Sequence, residues 1–126
     1  IPAAIGMAVL GPNGAWRGAL WGGLVRIFLL DHMTWGVNSL CHTFGSRPFR
    51  SRNMSTNIGL LALPSLGGSW HHNHHAFPSS AFHGLKPWEL DIGGLVIRGM
   101  RRLGLVWKVN VPTPDMQQRR ELALHD

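Results

Sequence analysis

Apolar residues crowd the first half of the chain and thin out in the second. Residues 1 to 10, IPAAIGMAVL, cover only about half of the roughly 20 residues that cross a bilayer, so they read as the end of a membrane helix that starts upstream. Gly11-Pro12-Asn13-Gly14 then spells a chain reversal. Residues 15–44 contain no proline, are mostly apolar and are long enough to span, and this is the expected membrane helix. It carries Arg26, Asp31, His32, Asn38 and His42. Lipid tolerates such side chains only where they turn inward, which makes them functional candidates. The alternative is a buried core helix of a soluble domain.

The second half breaks into shorter pieces. Residues 45–57, GSRPFRSRNMSTN, form a basic loop in which Ser55 or Thr56 is placed to cap the next segment. Residues 58–66, IGLLALPSL, are too short to span and carry a central proline, so they read as a packed helix or re-entrant piece closed by Gly67-Gly68-Ser69. After a histidine cluster, residues 76–87 read as loop. Asp91 is placed to cap a short helix whose apolar stripe is Ile92, Leu95, Val96, Gly99, Met100 and Leu103, with Arg98, Arg101 and Arg102 off the stripe and Gly104 as the stop. That helix suits either a core stripe under a solvated face or a position at the lipid headgroups. Past Pro112 and Pro114 the tail is polar and expected in the cytosol.

Composition narrows this picture. At 126 residues there is room for one domain and one site. A single cysteine, Cys41, excludes an internal disulfide and any C-x-x-C spacing, and reads as a small buried hydrophobe. Twelve Lys and Arg against six Asp and Glu suit nucleic acid, anionic lipid or a phosphate-bearing ligand; six tryptophans and the apolar first half favour a membrane surface over nucleic acid.

The chemistry sits in residues 70–78, WHHNHHAFP. If residues 71–75 are helical, His71, His74 and His75 fall at i, i+3 and i+4 and share a face, within reach of one metal or a metal pair, while His72 points elsewhere. A solvated polyhistidine patch is the bland alternative. Asn38 and His42, four apart, share a face of the preceding helix. His83 and His125 have no spacing partner and stay unassigned. An all-histidine site without cysteine suits a redox metal, and iron with dioxygen can take hydrogen from an unactivated carbon where zinc cannot.

Thr34-Trp35-Gly36-Val37-Asn38-Ser39-Leu40-Cys41-His42, then Gly45-Ser46-Arg47-Pro48-Phe49, then Trp70 to Pro78, together resemble the membrane-bound acyl-CoA (delta-9) fatty acid desaturases in a bacterial form, over about Ile5 to Pro114. The resemblance implies an all-α, integral membrane fold with a cytosolic helical cap. In it, 1–10 end one membrane helix, 15–44 form another, and 45–126 are cap and tail. It implies two iron ions on the cytoplasmic face and a reaction with O2 and two electrons that places a cis double bond in a saturated acyl chain. His74 would bind one iron, His71, His75 and His42 the other, and Asn38 would hold the second through a water. Arg47, Arg50 and Arg52 fall where phosphates of an acyl carrier are met.

The same resemblance implies an acyl-CoA or acyl-lipid substrate and an electron donor such as a ferredoxin, cytochrome b5 or a reductase. Membrane lipids are the expected surroundings and nucleic acid is not an expected partner. Two positions depart from the family pattern: Gly68 stands for its usual glutamate, and His72 for its usual asparagine. The family's first two histidine boxes do not occur upstream of His71, so they are expected in sequence preceding Ile1, and these residues alone are expected to be inactive. Two other readings remain: an alkyl or sterol hydroxylase of the same histidine-box type, and a non-catalytic metal-binding membrane module.

Overall fold

A computed structural model describes residues 1–121 as helices and loops, with paired backbone only at two isolated bridges, Ser46 with Asn57 and Phe49 with Glu121. His125 lies outside the described residues. The chain divides into two compact units, Ile1–Gly36 and Val37–Asp126.

In the first unit, α1 (Pro2–Ala19) is two helical halves joined at Gly11, whose φ of 65° and ψ of −155° only glycine adopts freely. The expected reversal at 11–14 is therefore present, with Pro12 opening the second half, where its missing N–H costs nothing. The halves run antiparallel in close contact: a Cβ on Gly6 or on Gly14 would overlap the other's backbone, and one on Gly18 would overlap Pro2. Gly14, Gly18 and Gly22, spaced by four, form the small-residue face that permits this approach.

The continuous helix expected over 15–44 is instead three segments: the second half of α1, a π-helical turn at Leu20–Val25 and α2 (Arg26–Leu40). The turn contains Gly22-Gly23, where glycine's backbone freedom makes wider winding inexpensive. Among the described residues no helix is long and apolar enough to cross a membrane. Large apolar side chains of this unit, among them Trp21, Leu24, Phe28 and Leu30, are nonetheless exposed.

In the second unit the chain leaves α2 through Cys41, whose N–H reaches Val37 O at 2.8 Å, and the buried thiol lies against Ser69 O at 3.7 Å. The apolar run at 58–66 is not a helix but a single 3-10 turn, Gly59–Leu61, followed by turns; the proline and the glycines that end the run leave too little backbone bonding for more. Ser55 and Thr56 cap nothing. Ser55 Oγ bonds to Asn53 Oδ1 (2.5 Å) and His72 Nδ1 (3.1 Å), and Thr56 Oγ1 donates to Cys41 O (2.9 Å).

The centre of this unit is a six-residue helix, α3 (His71–Ala76), packed on Phe49 and Phe77. Six residues do not form a stable helix alone. Its N-terminal N–H groups are satisfied from outside: Asn57 Oδ1 accepts from His72 N at 2.9 Å and Asn73 N at 3.2 Å. At its other end the Arg120 guanidinium bonds to Ala76 O and lies over the Phe77 ring, a cation at the negative helix end. Asn73 is buried and donates to His83 O (2.9 Å) and to buried Glu89 Oε2 (2.7 Å).

Asp91 caps α4 (Ile92–Arg102) as expected, accepting from Gly94 N at 2.8 Å, and Gly104 ends it with φ of 72°. The stripe behaves differently from a core face. Leu95, Val96, Met100 and Leu103 are exposed, whereas Gly94 is buried and Arg98 lies over Phe82 at 4.5 Å. Contact with the unit runs through the glycine edge, because Gly94 lets the helix backbone approach Asp91 and Phe82 more closely than a larger residue permits. The tail forms α5 (Pro114–Arg120), capped by Thr113.

Candidate metal centre

Helical spacing in α3 puts His71 and His75 one turn apart, and the turn after α2 brings His42 to them. His42 Nε2 lies 3.2 Å from His71 Nε2, and His75 Nε2 lies 3.0 Å from the same atom. The rings meet edge to face, at 77°, 80° and 80°. With their protons on Nδ1, the three imidazoles leave their Nε2 lone pairs free for a cation, and the candidate ligand atoms all lie within 4.8 Å of one another. Metal–imidazole bonds of about 2.0–2.1 Å place neighbouring donor nitrogens about 3 Å apart when they meet at right angles, so these spacings fit one shared cation. Three nitrogen donors without thiolate suit a borderline redox metal such as iron as well as zinc or copper.

The surroundings favour the neutral, metal-ready form of His71 and His75. Burial, then the neighbouring His75, His42, His74 and His83, push His71 down to about 4. Burial lowers His75 as well, reinforced by His74 and His42. Asn38 stands one turn before His42 on α2.

His74 does not join this trio, although spacing put it on the same face as His71 and His75. Its ring packs beside His83, with centroids 4.7 Å apart, and its Nδ1 is buried without a hydrogen-bond partner. The i+3 position is turned far enough around a short helix that a ligand from another direction, here His42, takes the third place. His72 is fully buried and points away from the cluster, as expected. Its Nε2 lies 2.8 Å from Phe49 O and its Nδ1 faces Ser55, tying α3 to the basic loop.

The three loop arginines separate. Arg47 is half-buried and donates to Asn53 O (2.5 Å) and Ser51 O (3.5 Å), closing its own loop. Arg50 and Arg52 line a cleft of about 580 Å³ whose edge reaches His75. Arg120 lines the same cleft and was invisible to motif spacing: it lies 70 positions from Arg50 and is brought to it where Arg50 N donates to Arg120 O at 2.6 Å. Asn57 and His83 were missed for the same reason. Only the loop returns after α2 and α3 bring them to the helix.

No family model matches the chain. It is 44% identical over 124 residues to a hex-5-enoyl-[acyl-carrier protein] acetylenase of Moorena producens (strain JHB), covering 98% of this chain and 39% of that protein. It is 42% identical over 100 residues to an icosanoyl-CoA 5-desaturase of Limnanthes douglasii, covering 79% of this chain and 28% of that one. Delta-9 acyl-lipid desaturase 1 of Arabidopsis thaliana is 40% identical over 104 residues, covering 82% and 33%. The chain thus spans between about a quarter and two fifths of the length of these relatives. Over that span, with identities of 40–45%, these 126 residues are homologous to a segment of the fatty acid desaturases.

Proposed function

We propose that the chain is part of an O2-dependent fatty acid desaturase that inserts a cis double bond, at the delta-9 position, into a saturated acyl chain. The observation that carries this reading is the approach of His42 Nε2 and His75 Nε2 to His71 Nε2, at 3.2 and 3.0 Å, in a chain homologous to acyl desaturases. In this reading His42, His71 and His75 hold one iron, with Asn38 beside it, and His74 belongs to a second iron. When bound, the iron pair supplies the oxidising power to take two hydrogens from an unactivated carbon–carbon bond with O2 and two external electrons.

The chain's own residues do the rest. His72, through Phe49 and Ser55, holds α3 in the rotation that aims His71 and His75 at His42. Arg50, Arg52 and Arg120 form a cationic cleft beside His75 that suits the phosphate of a coenzyme A or carrier-protein arm. The carriers named for the relatives differ, acyl-carrier protein, coenzyme A and lipid, so the shared demand is on the acyl chain. The exposed apolar side chains of α1, the π-helical turn and α2 support an integral membrane setting, and in this reading the metal centre faces the cytoplasm. A ferredoxin, cytochrome b5 or a reductase is the proposed electron donor.

Expression of the full-length protein in a host with a defined fatty acid profile tests this by product analysis. A new cis alkene is expected, and His42→Ala, His71→Ala or His75→Ala should each reduce it below detection. A hydroxylated acyl chain, or an iron-free protein carrying zinc or copper, would overturn the reading in favour of a hydroxylase or a metal-binding module.

A further inference from the structure

His83 lies outside every motif above, yet it is one of the most firmly held residues in the second unit. Its N–H donates to Asp91 Oδ2 at 2.8 Å, and the next N–H, of Gly84, donates to the same oxygen at 3.0 Å. Its carbonyl accepts from Asn73 Nδ2 at 2.9 Å, and Asn73 directly precedes His74 in α3. The backbone that carries its ring is therefore fixed by neighbours on both sides.

What this anchored ring faces is His74. The two centroids are 4.7 Å apart, inside the 4.5 to 5.5 Å spread of the His42, His71 and His75 pairs. His74 in turn has a buried Nδ1 without a hydrogen-bond partner, a costly state unless something else meets it.

We propose that His83 is a metal donor, paired with His74 in a metal position distinct from the one formed by His42, His71 and His75. This rests on the reading of the chain as part of a two-metal enzyme and adds to it a ligand that no histidine-box spacing contains. Two donors do not complete a coordination sphere, so the remaining ligands of this position come from elsewhere in the full-length protein.

Titration of the metal-free, full-length protein with cobalt(II), followed by visible absorption and by metal content per chain, tests the pairing without recourse to activity. Wild-type protein should take up two cobalt ions. His83→Leu, which keeps the volume and removes the donor, should retain one and bind the other about tenfold or more weakly. His83→Cys should restore the second ion and add a thiolate-to-cobalt charge-transfer band in the near ultraviolet, a signature that packing alone cannot produce. Two ions bound with unchanged affinity in His83→Leu would overturn the proposal, as would a His83→Cys protein that binds cobalt without that band. His42→Ala should lose the other ion and leave the thiolate band of a His42→Ala/His83→Cys protein in place. Wild-type protein that binds no cobalt overturns the desaturase reading itself, and this inference with it.

Discussion

At the scale of single residues, the fold opposes protonation of the histidine cluster most strongly at His71. His71 carries the largest burden because burial and four nearby imidazoles all oppose its protonation, lowering it from 6.5 to about 4. Between those values the unfolded chain takes up a proton that the folded one refuses, so lowering the pH favours unfolding. The metal-free protein should therefore be equally stable above about pH 6.5, lose stability progressively toward about pH 4, and lose no more from this group below that. Denaturant unfolding at stepped pH checks this. A His71→Gln protein should lose much of the slope, and a wild-type profile flat from neutral pH to 5 would contradict the account. Metal binding should weaken over the same window, since protons and cation compete for the same nitrogens.

Among the elements, α3 is the one that could not exist alone. Its first turn depends on Asn57 Oδ1, which serves two N–H groups, while Asn57 Nδ2 bonds to Asn73 Oδ1 at 2.7 Å. Asn57→Ala leaves these groups buried without partners and should cost about 1–3 kcal/mol, read as a lower unfolding midpoint together with weaker metal binding. Asn57→Asp keeps the acceptor and should recover the helix-capping part of the loss. If the alanine variant unfolds at the wild-type midpoint, Asn57 is not what holds the helix. For α1 the corresponding position is Gly11: alanine at φ 65° and ψ −155° should cost about 1–3 kcal/mol and open the two halves, seen as a lower thermal midpoint in detergent. The sequence pattern anticipated this reversal, the Asp91 cap and the Gly104 stop, because each rests on contacts within a few residues. It missed the π-helical turn and the loss of helix over residues 58–66, and it left open whether the stripe of α4 faces a core or a lipid surface. Those depend on which face a neighbouring segment covers, and a hydrophobic pattern does not say which segment that is.

For the whole molecule, so much exposed apolar surface bears on the proposed membrane setting. Residues such as Trp21, Leu24, Phe28, Leu30 and Trp35 present large side chains on successive turns without cover among the described residues. The full-length protein should stay with the membrane fraction through an alkaline carbonate wash, which strips proteins held only by charge. Its release into the supernatant would contradict an integral membrane protein and leave a peripheral one. Association driven by the basic residues alone would also weaken in high salt, whereas apolar insertion would not.

By itself, the sequence determined what short-range geometry controls: a reversal at Gly11, a helical turn that aligns His71 with His75, an aspartate cap on α4, and a donor set rich in imidazole and free of paired cysteine. Tertiary structure decided the partners. It chose His42 as the third nitrogen, turned His74 toward His83, buried His72 between Phe49 and Ser55, and added Arg120 to Arg50 and Arg52 across 70 positions. The physical reason is the same in each case. Periodicity fixes the direction of side chains within one element, whereas a metal or phosphate site needs donors converging from several, and loop closure and packing alone set that convergence.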